Sequence, residues 1–149
     1  MICGNSFTSL EEAFAAVPDC EDMINGEPTY VKLKGTIEVN NTINVPEKKN
    51  IMLVAAEDNT TIKRAAGFTE SMFTVNGGNL QMAGGSVTDS DGNAIGSGSL
   101  TVDGTGDGVT GSIVEVVSGN YALIDGTTLT GNTTTGNGGA VNNDAGANV

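Results

Sequence analysis

Two stretches decide the fold: SMFTVNGGNLQMAGG (residues 71–85) and SIVEVVSGNYALIDG (residues 112–126), which align at an offset of 41 residues. Five of the 15 aligned positions are identical, and the apolar positions largely coincide. A shorter motif, GNLQM (78–82), recurs in degenerate form at 98–102 and 119–123, in steps of 20 and 21 residues. The chain therefore contains an internal repeat.

The repeated unit is made of short strands. From residue 30 onward, apolar residues alternate with polar ones, as in Leu80-Gln81-Met82 and Leu100-Thr101-Val102, and a period of two is typical of a strand with one buried face. Pairs such as Gly-Gly and Asp-Gly separate the strands and favour turns. Strands this short bury their apolar face only by stacking turn upon turn. The sequence predicts an all-β parallel β-helix of about five or six rungs, with Leu80, Leu100 and Tyr121 in successive rungs.

Residues 1–29 are predicted to form a separate N-terminal cap. Ser9 and Glu12 have the spacing of a capping box, apolar residues follow at helical spacing, and Pro18 ends the run. We expect a short amphipathic α-helix over the first rung, because an open end of stacked strands needs a cover. Residues 30–149 form the predicted β-helix. They end within the Gly/Asn pattern and show no second cap, so we expect the solenoid to continue in a longer parent chain.

The charge balance excludes several classes of partner. The 149 residues carry 18 acidic and 6 basic side chains, for a net charge of −12. Nucleic acid is therefore not expected as a partner, because phosphates need Lys and Arg, and insertion into a membrane is not expected because no apolar stretch is long enough. All basic residues lie between Lys32 and Arg64. Lys48-Lys49 and Lys63-Arg64 are interpreted as solvated corners, with a basic ligand-binding patch as the less favoured alternative.

One acidic segment has the spacing of calcium ligands. Asp89, Asp91 and Asn93 match the first half of a calcium-binding loop, but position twelve of that loop is Leu100, which excludes an EF-hand. A looser calcium site at these three residues stays open beside the interpretation as a plain turn, since Asp, Asn and Gly are also turn residues. No other cofactor is predicted.

The two cysteines, Cys3 and Cys20, bracket the predicted helix and are candidates for a disulfide bond. Nucleophilic catalysis by either is not expected, because the chain has no His to act as base. Carboxylates are numerous but scattered, and no Lys, Arg or His follows residue 64. Glycosidases need paired carboxylates and lyases need a base with cations, so no catalytic residue is predicted.

The chain resembles a known family in four segments: TIEVNNTINVPEKKNIMLVAAEDNTTIKRAAGFTESMFTVNGGNLQMAG (36–84), SLTVDG (99–104), SIVEVVSGNYALIDGTTLTGN (112–132) and NGGAV (137–141). They are similar to the right-handed parallel β-helix regions of bacterial cell-surface adhesin-like proteins, and more loosely to polymorphic outer-membrane and autotransporter passengers. The resemblance covers roughly residues 30–141.

The resemblance implies a secreted, surface-displayed adhesin or stalk module with a right-handed coil. It implies binding of a glycan, an extracellular-matrix protein or another surface protein without catalysis, and further repeats of the same parent chain. The extracellular location follows from the resemblance alone, because no signal peptide is visible. The alternative is that these residues form the N-terminal rungs of a β-helical polysaccharide lyase or glycosidase whose active site lies outside them.

Overall fold

The computed structural model describes residues 6–144 and 147–149. These residues form one short helix and twelve strands, so the prediction of an all-β chain with one N-terminal helix is confirmed. In chain order the elements are α1 (Leu10–Ala16), β1 (Thr29–Leu33), β2 (Thr36–Val39), β3 (Ile43–Pro46), β4 (Asn50–Ala55), β5 (Thr60–Arg64), β6 (Phe73–Ala83), β7 (Val87–Thr88), β8 (Ala94–Gly96), β9 (Leu100–Asp103), β10 (Val114–Ile124), β11 (Thr127–Thr130) and β12 (Val141–Asn143).

Helix α1 begins where the sequence predicts. The N-cap is Ser9, whose Oγ accepts a hydrogen bond from the Glu12 N–H at 3.2 Å. The Glu12 carboxylate accepts hydrogen bonds from the N–H and hydroxyl of Thr8, at 3.3 and 3.0 Å. One face of the helix is buried, and the ring centroid of Phe14 lies 6.3 Å from that of Phe73. The helix is therefore attached to the core that the strands enclose.

The strands pair in parallel within two main sheets. Sheet A has the order β1-β4-β6-β10-β12, with β3 also beside β6, and sheet B has the order β11-β9-β5-β2. Strands β6 and β10 each have 11 residues and pair with two sets of partners. The N-terminal half of β6 lies beside β3 and its C-terminal half beside β4. A separate antiparallel hairpin consists of β7 and β8.

The pairing arranges the described strands in three columns. Column 1 contains β1, β4 and the C-terminal halves of β6 and β10. Column 2 contains β2, β5, β9 and β11. Column 3 contains β3, the N-terminal halves of β6 and β10, and β12. Successive strands of the chain enter columns 1, 2 and 3 in that order, with the β7–β8 hairpin inserted before β9.

The prediction that the 20- and 21-residue steps are the stacking distance is wrong. Leu80 pairs with Tyr121 in column 1, whereas Leu100 pairs with Thr60 and Thr127 in column 2. The offset of 41 residues is the one that stacks, since β10 lies on β6 over almost its whole length. The 20-residue step leads from column 1 to column 2, and the 21-residue step leads from column 2 past column 3 back to column 1. The motif recurs there because both columns need the same alternation of inward and outward side chains.

The inward side chains form one continuous core. Phe73, Leu80, Leu100 and Val114 are each 0% exposed. The core is open at its C-terminal edge: Leu123, which alternates with the inward Tyr121, is 48% exposed. The reason is that Asn148 is the only described residue that pairs with column 1 beyond this strand.

The hairpin between β6 and β9 covers the outer face of column 1. Val54 and Ala83 alternate with the core residues of their strands and so point outward, yet they are 0% and 1% exposed. Strand β8 contacts β1 and β4, and its Ile95 is 5% exposed. Val54, Ala83 and Ile95 therefore form a second, smaller buried layer on part of the outer face of column 1.

Candidate functional site

The outer face of column 2 carries a row of stacked threonines. The strand register aligns Thr36 with Thr61, Thr61 with Thr101, and Thr101 with Thr128. All four side chains are exposed or half-buried. Parallel strands are spaced about 4.8 Å apart, so the four hydroxyls form a regular row across the sheet. We call this row, together with the neighbouring row of Glu38, Lys63, Asp103 and Thr130, the threonine face.

A second row on the threonine face is charged. It stacks Glu38 on Lys63, Lys63 on Asp103, and Asp103 on Thr130. The Lys63 ammonium thus has an acidic neighbour on either side. The pKa of the Asp103 carboxyl is lowered, first by the hydrogen bond from the Thr105 hydroxyl at 2.6 Å, then by the Thr105 N–H at 2.9 Å, and to a smaller extent by Lys63.

The groups on the threonine face can form hydrogen bonds and ion pairs. Hydroxyls both donate and accept hydrogen bonds, and a flat row of them matches an extended polar ligand better than a small molecule, which needs a concave pocket. The chain contains no His that could serve as a general base. The face therefore offers hydrogen bonds and fixed charges at regular intervals.

The candidate calcium ligands Asp89, Asp91 and Asn93 lie at the exposed tip of the β7–β8 hairpin. Asp89 Oδ1 accepts hydrogen bonds from the backbone N–H groups of Asp91 and Asn93 at 3.0 and 2.9 Å, and Oδ2 accepts one from Asn93 Nδ2 at 3.2 Å. These bonds, that from the Asn93 N–H first, lower the pKa of the Asp89 carboxyl. The Ser90 N–H donates to Glu27 Oε1 at 3.2 Å and attaches the tip to the segment before β1.

These hydrogen bonds are the ones that an Asp residue forms in a plain turn. No group of three or more His, Cys, Asp or Glu side chains that could hold a metal ion occurs within residues 6–144 and 147–149. Calcium binding by the hairpin tip remains a prediction, and binding there would compete with the hydrogen bonds that Asp89 already accepts.

The predicted disulfide concerns a residue outside the described part of the chain, namely Cys3. Its proposed partner, Cys20, is half-buried, and the Cys20 thiol donates to the carbonyl oxygen of Asp22 at 3.2 Å. The pairing therefore stays a prediction.

One of the two predicted basic corners is wrong. Lys48 and Lys49 do lie at the surface, in ion pairs with Glu21 at 3.2 Å and Asp19 at 3.0 Å. Arg64, however, is 1% exposed. It occupies an inward position of β5, and its side chain enters the interior.

Arg64 joins three segments that are distant in the sequence. Its Nε donates to the carbonyl oxygen of Gly104 at 2.9 Å, and its Nη2 donates to Asn132 Oδ1 at 3.0 Å. The carbonyl oxygens of Phe68 and Glu70 accept from Nη1, and the guanidinium carbon lies 5.2 Å from the centre of the Phe68 ring. The alternation Thr60, Ile62, Arg64 already places this residue inward, and that signal could have identified it.

Comparisons with known proteins identify no relative. Neither family models, nor curated proteins, nor solved structures give a match to this chain. In the part of the chain that the structure describes, no helix has the length and apolar character needed to cross a membrane.

Proposed function

We propose that the chain is a right-handed parallel β-helix module of a bacterial cell-surface protein. In this proposal it is displayed outside the cell as an adhesin or stalk, and it binds a glycan or a surface or matrix protein without catalysis. Further repeats of the same parent chain extend it. The bacterial source, the location and the handedness rest on the sequence resemblance.

The order of the strands supports the coil. The chain passes through columns 1, 2 and 3 and then returns to column 1, and each strand pairs in parallel with its counterpart one turn earlier. The described residues supply four strands to each column, so a coil built from them would have four turns, fewer than the five or six expected from the sequence. Parallel neighbours cannot be joined by the short hairpin loops that connect antiparallel strands, so the chain must make a full circuit before it pairs with its own previous turn.

The observation that carries the binding function is the exposure of the threonine face. The outer face of column 1 is partly covered by the β7–β8 hairpin, with Val54 at 0% and Ala83 at 1% exposure. Column 2, by contrast, presents Thr36, Lys63 and Thr128 to solvent. A regular polar surface of this kind binds weakly at each site, and it gains strength when many copies are displayed together.

A multivalent binding assay tests this proposal. Beads carrying many copies of the protein are applied to arrays of glycans and matrix proteins, in parallel with wild type, Thr101→Arg and Thr74→Arg. Thr101 lies in the centre of the threonine face, and Thr74 is a half-buried threonine on the outer face of column 3. We expect Thr101→Arg to abolish binding and Thr74→Arg to retain it. Equal loss in both variants would exclude the threonine face as the binding surface.

Two further measurements address the remaining parts of the proposal. Release of reducing or unsaturated sugars in proportion to protein concentration, from pectins, uronans or host glycans, would overturn the non-catalytic function and favour the enzyme alternative. Antibodies against the protein should label intact cells of the source organism. Labelling only after the cells are broken would overturn the surface location.

A further inference from the structure

Four asparagines occupy one position in successive strands of column 1. Asn50 pairs with Asn79, Asn79 with Asn120, and Asn120 forms a bridge with Asn148. We call this row the asparagine ladder. Two of its steps are hydrogen-bonded in the same direction: Asn148 Nδ2 donates to Asn120 Oδ1 at 2.9 Å, and Asn120 Nδ2 donates to Asn79 Oδ1 at 2.6 Å. Continued in that direction, Asn79 Nδ2 would donate to Asn50 Oδ1.

The last step of the ladder is not formed. Asn79 Nδ2 donates instead to the carbonyl oxygen of Met23 at 2.9 Å, and Asn50 Nδ2 donates to that of Gly26 at 3.0 Å. Asn50 is 4% exposed, and its Oδ1 is the one buried side-chain N or O atom without a hydrogen-bond partner among the described residues. A buried acceptor without a donor destabilises the state that contains it. The unsatisfied atom is the one to which the ladder points.

Residues 19–26, which we call the strap, divert the ladder. Polar contacts dominate the attachment of the strap: the Cys20 N–H donates to the carbonyl oxygen of Lys48 at 2.7 Å, and Lys48 and Lys49 form ion pairs with Glu21 and Asp19. The Lys48 pair is exposed and stabilises little, whereas the Lys49 side chain is 19% exposed. Ile24 is 92% exposed and so contributes no burial. The strap is therefore held more weakly than the strands beneath it.

We infer that the strap is a two-state element whose opening is coupled to completion of the asparagine ladder. In the closed state, Asn79 bonds Met23 and the Asn50 acceptor is unsatisfied. In the open state, the Asn79 carboxamide turns to Asn50 Oδ1 and the ladder runs through all four asparagines. The new hydrogen bond offsets part of the cost of releasing the strap. Opening also frees the Lys48 ammonium group and breaks the ion pair of Lys49 with Asp19, while Lys49 keeps its hydrogen bond to the carbonyl oxygen of Val17.

Hydrogen exchange at the Cys20 amide measures the opening, because this N–H is bonded to Lys48 only while the strap is closed. The equilibrium constants for opening of the strap are compared for wild type, Asn50→Ala, Asn79→Ala and the double variant, after circular dichroism has confirmed that each is folded. Asn50 and Asn79 bond each other only in the open state. This bond raises the opening constant of the wild type alone. The opening constant of the wild type multiplied by that of the double variant should therefore exceed the product of the two single-variant constants by about fivefold, as expected for one hydrogen bond.

A control pair and a second measurement keep the inference falsifiable. Asn120 and Asn148 are bonded in the closed state and keep that bond in the open one, so the same cycle with Asn120→Ala and Asn148→Ala should give a ratio near one. A ratio near one for Asn50 and Asn79, or an equal ratio in both cycles, would overturn the coupling. If a variant does not fold, relaxation dispersion on the wild type decides: the strap amides and the Asn79 carboxamide must share one exchange rate, and different rates or no exchange would refute the switch.

Discussion

Replacement of Arg64 by methionine should destabilise the fold more than any change to a surface cation. The guanidinium donates to the carbonyl oxygens of Phe68, Glu70 and Gly104 and to the Asn132 side chain. Methionine has a similar length but no donor, so the variant leaves four acceptors without their partner. Burial lowers the pKa of the Arg64 guanidinium, but an Arg side chain stays charged at neutral pH.

The magnitude follows from the burial of these acceptors. Leaving a buried acceptor without its hydrogen bond typically costs about 1–3 kcal/mol. Only the bond to Gly104 is fully buried, and the other three acceptors are partly accessible and can regain water. The upper end of the range for the one fully buried acceptor, about 3 kcal/mol, is therefore the expected loss in the free energy of unfolding. For a chain of this size that corresponds to a fall in melting temperature of roughly 6–12 °C.

Urea unfolding followed by far-ultraviolet circular dichroism measures this loss. The matched control is Lys63→Met, which removes the neighbouring cation on the exposed side of the same strand and should change the stability by no more than about 0.5 kcal/mol. Arg64→Lys should fall between the two, because lysine keeps the charge but not the planar fork of donors. Equal stabilities for Arg64→Met and Lys63→Met would refute the argument that Arg64 joins the three segments.

Two further predictions address the faces of a strand and the hairpin turn. Leu100→Asp should cost several kcal/mol because it buries a carboxylate at a position with 0% exposure, whereas Thr101→Asp on the threonine face should cost at most about 0.5 kcal/mol; equal melting temperatures would contradict this assignment of faces. Hydrogen bonds, first from the Asn93 N–H, lower the pKa of Asp89, so its carboxylate stabilises the hairpin above the ordinary carboxyl pKa of about 4, and this contribution is lost as the pH falls through the lowered value. The protection of the hairpin amides, measured relative to the intrinsic exchange rate at each pH, should therefore fall on acidification, and Asp89→Asn should remove that dependence.

Local features of the fold could be predicted from the sequence because they depend on neighbouring residues. The N-cap at Ser9 requires only a hydroxyl three residues before a free N–H. The inward position of Leu100 and the outward position of Thr101 follow from alternation along one strand. Each of these predictions is independent of how long the connections between strands are.

The stacking partners could not be predicted because the connections have unequal lengths. The threonine row joins residues 36, 61, 101 and 128, at intervals of 25, 40 and 27 residues, so no fixed offset reveals it. The 41-residue offset was visible only because β6 and β10 have similar sequences. A search at a fixed offset matches residues with similar surroundings in the sequence, and such residues do not always pair in the sheet.

The inward position of Arg64 could be predicted from the alternation along β5, but the distant groups that accept its hydrogen bonds could not. Its acceptors at Gly104 and Asn132 lie 40 and 68 residues further along the chain. The same limit applies to the asparagine ladder: four asparagines in a Gly/Asn-rich chain are unremarkable in composition, and only the strand register aligns them.

The two long insertions explain why the threonine face stays open. Both flank β9, one before it at 84–99 and one after it at 104–113, so both belong to the same passage through column 2. The first folds over the outer face of column 1. The second turns towards the loop after β5, where the Thr110 N–H donates to the carbonyl oxygen of Thr69 at 2.9 Å and Val109 is 2% exposed. Since the extra chain leaves column 2 on both sides, the stacked threonines remain accessible to a ligand.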